Sequence, residues 1–162
     1  MVIRMLLVVV VAGCVTNLDA PAPPVALDRA YFRCDVQPVL AARCAFPACH
    51  GSARRPLAIY APGRERYQVG WDRPTEGVTP YELDANFAIA SGFATTTATG
   101  EPWLLAKPLA TRAGGYYHRG ADLYGGDDVF LTKDDPGYQL LAGWIAGASA
   151  PAGCTPITEV GP

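Results

Sequence analysis

The sequence predicts a single small all-α domain with long loops. Its 162 residues suit one domain. Two helix starts are marked by N-caps, a capping box at residues 79–82 (TPYE) and the pair Asp135-Pro136, and each precedes apolar residues at helical spacing. The 17 glycines and 15 prolines predict that extensive loops join the helices.

The first predicted helices lead to a cysteine. Asp28 can cap a short helix over residues 29–34. A second cap at Asp35, with Pro38 in the first turn, predicts that another helix follows. The apolar stripe of this helix consists of Val36, Val39 and Leu40. The second helix therefore ends next to Cys44.

The middle of the chain is predicted to be mostly loop. Residues 51–78 contain one short extended piece at 57–60. From the capping box, a helix is expected to run to Gly92. Its buried face consists of Leu83, Phe87 and Ala90. One further helical turn is predicted over residues 102–106.

The last helix follows a second long loop, which covers residues 111–131 and is rich in Gly and Tyr. The helix is expected to start at Asp135 and to stop at Gly147. Its apolar face consists of Leu140, Leu141, Trp144 and Ile145.

The N-terminus is typical of an export signal. Arg4 precedes a short apolar run, which is far below the roughly 20 residues that a membrane-spanning helix needs. The run ends in VAGC at residues 11–14, which resembles the lipobox of bacterial lipoproteins. We therefore predict a signal peptide at residues 1–13, lipid on Cys14 and a Pro-rich flexible tether at 14–27. The alternative is a buried strand with a core cysteine.

The charge and the apolar content narrow the class of protein. Lys and Arg total 13 against 15 Asp and Glu, a net charge of −2, which argues against a nucleic-acid partner. Few aliphatic residues remain once the signal is removed. We therefore expect the 8 Tyr and 3 Trp residues, a bound apolar cofactor or a disulfide to help hold the fold together.

The most informative motif joins two cysteines to a histidine. Cys44 and Cys49 are followed directly by His50, and a Cys pair that ends in Cys-His is the attachment signature of c-type haem. Two thiols add to the porphyrin vinyl groups, and the adjacent imidazole becomes the proximal iron ligand. The usual spacer has two residues, and this one has four, including Pro47. A Cys44–Cys49 disulfide is one alternative.

A zinc site is the other alternative for this motif. Zinc would need two more ligands, and only His118 and the two remaining cysteines could supply them. When Cys14 is assigned to lipid and the Cys44–Cys49 pair to one covalent haem, Cys34 and Cys154 remain. We predict that these two form a disulfide.

Several short motifs in order resemble the cytochrome c-like domains of exported bacterial lipoproteins. They are Val36-Gln37-Pro38, Cys44 to Gly51, Lys107-Pro108, Gly114-Gly115 with His118, and Tyr138, Leu141 and Trp144. The match covers about residues 28–150. The resemblance implies a small cytochrome c-like fold over residues 28–155, in which the terminal helices cross, and this crossing would bring Cys34 near the segment after Trp144.

The sixth iron ligand differs from the Met that many cytochromes c use. Both methionines lie in the predicted signal, and His118 is the only histidine besides His50. We therefore predict His118 as the distal ligand. An open position, a water molecule or Lys107 are the alternatives. Arg54 and Arg55 follow the motif and are candidates for haem propionate binding or for a solvated surface pair.

These features predict an electron carrier rather than an enzyme. The protein would be exported, anchored by lipid to the bacterial cell envelope, and would exchange electrons with redox partner proteins at the membrane. An open sixth position would instead allow peroxide or small-gas chemistry. A third hypothesis is a non-haem, disulfide-stapled envelope lipoprotein with a binding or structural role.

Overall fold

The computed structural model describes residues 25–68, 77–95, 100–119 and 128–155. The predicted signal peptide at 1–13, the lipid site at Cys14 and residues 15–24 of the tether lie outside these described residues. Within the described ranges, no helix is both long and apolar enough to cross a membrane.

The first helical segment runs without a break through residues 29–43. It begins as α1 (Arg29–Tyr31), widens into a π-helix (Phe32–Val36) and continues as α2 (Gln37–Arg43). The side chain of Asp28 caps it, as predicted. The second cap predicted at Asp35 is wrong. The chain does not interrupt the helix there, because the backbone N–H of Gln37 donates to the carbonyl of Phe32 and closes a π-turn.

The later helices lie close to their predicted positions. They are α3 (Pro80–Phe93), α4 (Trp103–Ala106), a 3₁₀ turn (Thr111–Ala113) and α5 (Pro136–Ile145). The capping box at the start of α3 is confirmed, although α3 continues one residue beyond Gly92. Asp135 caps α5, and Gly147 follows soon after its end.

The predicted all-α, cytochrome c-like fold is wrong. Helices account for 42% of the described residues, they are mostly short, and no strand occurs in the described ranges. Much of the core lies in irregular segments, where Ile59, Leu109 and Phe130 are almost fully buried. Local helical patterns cannot supply such a fold, because these segments are held by contacts between distant parts of the chain.

Helix α5 packs against the first helical segment. Trp144 is fully buried, and its ring centroid lies 5.2 Å from that of Phe32. Its indole Nε1 donates a hydrogen bond of 3.0 Å to the carbonyl of Asp28. The predicted disulfide between Cys34 and Cys154 is present, with 6.3 Å between the Cα atoms. The end of the described chain is therefore tied to its first helical segment.

Polar side chains fasten the long loop at residues 51–68 to α3. Asn86 is fully buried, accepts a hydrogen bond from the N–H of Tyr60 and donates to its carbonyl. Gln37 donates to the same carbonyl and accepts from Asn86. Because these buried groups bond with one another, a loop without regular structure can be packed in the core.

A buried ion pair anchors the same loop at the start of α3. Arg66 and Glu82 are joined by two hydrogen bonds of 2.6 and 2.9 Å, and their side chains are 3% and 0% exposed. Burial alone raises the pKa of Glu82. The hydrogen bonds from Arg66 and from the backbone of Thr79 and Tyr67 outweigh burial, so the pKa lies below its ordinary value of 4.5.

We expect Glu82→Gln to destabilise the fold by about 3 kcal/mol at pH 7, because the substitution removes the carboxylate that bonds to the buried Arg66 guanidinium. Urea unfolding followed by circular dichroism measures the effect. The difference should narrow as the pH falls through the lowered pKa, because the parent protein then loses the same pair. Glu101→Gln is the matched control, since its pair with Lys133 is half-exposed and should contribute less than about 1 kcal/mol. Equal effects of the two substitutions would contradict this prediction.

Candidate functional site

The loop that contains Cys44, Cys49 and His50 is closed by its own backbone. The N–H of His50 donates to the carbonyl of Cys44 at 3.0 Å, and the N–H of Cys49 donates to Phe46 at 2.8 Å. Pro47 lies in the spacer between Cys44 and Cys49, and it is exposed. The four-residue spacer is thus looped outward while its two ends are held together.

Gly51 allows this loop to close. The N–H of Gly51 donates to the carbonyl of Phe46 at 2.9 Å. A Cβ atom at residue 51 would lie 2.1 Å from the carbonyl oxygen of Ala45, far inside any normal contact. The glycine after the histidine is therefore required by the close approach of the backbone.

The ring of His50 is held in one orientation. Its Nδ1 lies 2.8 Å from the carbonyl oxygen of Leu57, which can only accept a hydrogen bond. Nδ1 therefore carries the proton in the neutral ring, and Nε2 keeps a free lone pair. Burial lowers the pKa of His50, and its neighbours His118 and Arg55 lower it further, against the opposing effect of the Leu57 bond. The neutral ring is the form that binds a metal.

Both cysteines of the motif are free thiols, so the Cys44–Cys49 disulfide that was considered as an alternative is not present. Cys44 is buried and Cys49 is half-buried. Burial and the neighbouring Cys49 raise the pKa of Cys44 to about 12, although Arg43 opposes the change.

His118 is far from His50 in sequence but lines the same cavity. Its segment is anchored to α4 by a hydrogen bond of 2.8 Å from the N–H of Tyr116 to the carbonyl of Ala106. Gly115 packs so tightly there that a Cβ atom would lie 1.8 Å from the carbonyl oxygen of Leu109. Burial lowers the pKa of His118, as does nearby Lys107, while Asp128 raises it.

The imidazole rings of His50 and His118 lie near each other in the wall of one cavity. They are stacked, with planes within 7° of parallel and centroids 5.8 Å apart. A first-row metal binds an imidazole nitrogen at about 2.0 Å, so two imidazoles on opposite sides of one metal have ring centres about 6 Å apart. The observed separation is close to this value, and shared ligation would require each Nε2 to be turned toward the metal.

A mostly apolar cavity of about 510 Å³ surrounds these groups. This volume lies within the range of roughly 300–1,000 Å³ that is usual for cofactor and small-molecule sites. The cysteines and histidines of the motif line it together with large apolar side chains, among them Leu57, Phe93, Trp103, Leu104, Val129 and Leu141. The cavity can therefore hold a large apolar group beside the thiols and imidazoles of the motif.

Arg54 and Arg55, the candidate anion-binding residues, do not line this cavity. Both are exposed, and Arg55 donates to the carbonyl of Ala48 at 3.2 Å. Among the described residues, the cations in the cavity wall are Arg43, Lys107 and Arg119. The sequence indicated Lys107 only as an alternative iron ligand and did not indicate Arg43 or Arg119. The position of Arg119 directly after His118 is the signal that could have indicated it.

The described residues do not contain a group of three or more His, Cys, Asp or Glu side chains that could hold a metal ion. Structural zinc usually takes four protein ligands, and the disulfide removes Cys34 and Cys154 from the possible donors. The zinc alternative therefore lacks its ligand set among these residues. A haem iron needs fewer protein ligands than zinc, because the porphyrin supplies four nitrogens and the protein supplies only one or two axial ligands.

Comparisons of the chain with protein-family models, with curated proteins and with solved structures found no match.

Proposed function

We propose that this chain is a c-type haem protein that transfers single electrons. One observation carries the proposal, namely that two free thiols and two parallel imidazoles line one apolar cavity. The disulfide alternative accounts for neither the free thiols nor the facing histidines. The proposal does not require a cytochrome c fold.

Each residue of the motif has a separate task in this proposal. Cys44 and Cys49 hold the haem through thioether bonds, and His50 and His118 are its axial ligands. The carbonyl of Leu57 orients the His50 ring through Nδ1 and increases the basicity of Nε2. The bound haem supplies an iron that changes reversibly between the ferric and ferrous states.

Two axial histidines favour electron transfer over catalysis. When both axial positions belong to the protein, no site is left for substrate on the iron. Two imidazoles also favour a lower potential than a histidine–methionine pair. With lipid at Cys14, which lies outside the described residues, the carrier would work in the cell envelope beside membrane-bound redox proteins.

Expression with a haem-attachment apparatus tests the proposal. We expect the purified protein to keep its haem after denaturation, to show the pyridine haemochrome spectrum of a c-type haem and to change reversibly on reduction. Intact mass should be raised by one haem. The double variant Cys44→Ala/Cys49→Ala is the control and should carry no covalent haem. A parent protein without covalent haem would contradict the proposal and favour the disulfide-stapled lipoprotein.

A further inference from the structure

Among the described residues, three cations line this mostly apolar cavity, and of these Arg43 alone forms an ion pair with a described carboxylate. Arg43 is paired with Asp135 at 2.8 Å, and its guanidinium also lies 3.5 Å from the carbonyl of Val129. Among the described residues, Lys107 and Arg119 form no ion pair. The cavity wall therefore presents two positive charges that no described carboxylate pairs with directly.

Lys107 and Arg119 lie on the segments that carry His118. The Nζ of Lys107 lies 5.2 Å from the centroid of the Trp103 ring and 3.4 Å from the carbonyl oxygen of Tyr117. Arg119 directly follows His118, is exposed and borders the cavity. Lys107 and Arg119 therefore both line the cavity, and Arg119 does so from an exposed position.

Haem would bring two carboxylates to one edge of this cavity, where cations can bond to them. The porphyrin carries two vinyl groups on one half and two carboxylates on the other, so thioether bonds to Cys44 and Cys49 place the carboxylates away from the cysteines. Arg43 adjoins Cys44 in sequence and already has a partner. An anion at the edge of an apolar cavity is costly unless a cation bonds to it.

We infer that Lys107 and Arg119 bind the two haem carboxylates, a role for which Arg54 and Arg55 are placed outside the cavity. This inference rests on the proposed function. The two carboxylates of the haem would then lie at the edge of the cavity, and its flat apolar ring system would lie inside.

Binding of an iron-free porphyrin tests the inference without axial ligation or covalent attachment. The full chain is exported from a host without the attachment apparatus and titrated with protoporphyrin IX and with its dimethyl ester, which lacks both charges. We expect the parent protein to bind the diacid more tightly than the ester. Lys107→Gln/Arg119→Gln should weaken diacid binding about tenfold and leave ester binding unchanged.

The matched control is Arg54→Gln/Arg55→Gln, which removes two charges near the motif but outside the cavity. We expect this variant to bind the diacid as the parent does. Equal binding of diacid and ester by the parent would overturn the inference, as would an equal loss in the control. Failure of a chain with intact helices to bind either porphyrin would also overturn it. Absence of covalent haem after expression with the haem-attachment apparatus would refute the proposed function separately.

Discussion

Replacing His118 by alanine is expected to open one axial position while leaving the haem attached. In the proposed function attachment depends on Cys44 and Cys49, and His50 remains oriented by the Leu57 carbonyl. The reduced His118→Ala protein should therefore bind carbon monoxide rapidly, whereas the reduced parent should bind it only after slow displacement of His118. Stopped-flow absorption spectroscopy measures the difference, which should be at least tenfold in rate.

Replacing His118 by methionine tests its role as an axial ligand in a second way. His118→Met should raise the midpoint potential by on the order of 100 mV, because axial ligands set haem potentials over a range of about 0.8 V and Met raises them. Tyr117→Phe is the control in the same segment. Because Tyr117 is 68% exposed, this change should alter neither the rate of carbon monoxide binding nor the midpoint potential. Rapid carbon monoxide binding by the parent protein would show that His118 is not a ligand and would favour small-gas chemistry.

The local part of the site could be predicted from the sequence. Cys44, Cys49 and His50 are neighbours along the chain, and covalent attachment needs them close together. His118 is the only histidine available besides His50. The structure places all four around one cavity.

The cations of the site could not be predicted in this way. Arg54 and Arg55 are near His50 in sequence, yet both are exposed and neither lines the cavity. Lys107 follows α4, Arg119 lies in the segment after it, and both residues line the cavity. The N–H of Tyr116 fixes that segment to Ala106, and nothing in the local sequence indicates this contact.

The fold shows the same division between local and distant interactions. The helix starts at Thr79 and Asp135 depend on side chains within the first turn, and both were predicted. The buried irregular segments depend on partners that are far away. Phe130, for example, donates its N–H to the carbonyl of Pro108 and accepts a hydrogen bond from the N–H of Ala110. Apolar periodicity does not report such bonds, so the prediction of an all-α fold overestimated the role of the helices.

The disulfide should have the largest effect on stability. Cys34 and Cys154 are separated by 120 residues, so the bond closes nearly the whole of the described chain into one loop. The loss of chain entropy in the unfolded state predicts a stabilisation of about 5 kcal/mol. We therefore expect Cys34→Ser/Cys154→Ser to lower the free energy of unfolding by that amount, as measured by urea unfolding of the full chain.

This effect is large because the bond restrains so long a loop in the unfolded chain. A domain of this size has a total stability of about 5–15 kcal/mol, so loss of the bond would remove much of it. The contacts of Trp144 with Phe32 and Asp28 would remain and should keep α5 near the first helical segment. Reduction of the parent with dithiothreitol is the control, and it should reproduce the stability of the double variant. A loss below about 1 kcal/mol would mean that these contacts alone hold the two ends together and that the disulfide adds little.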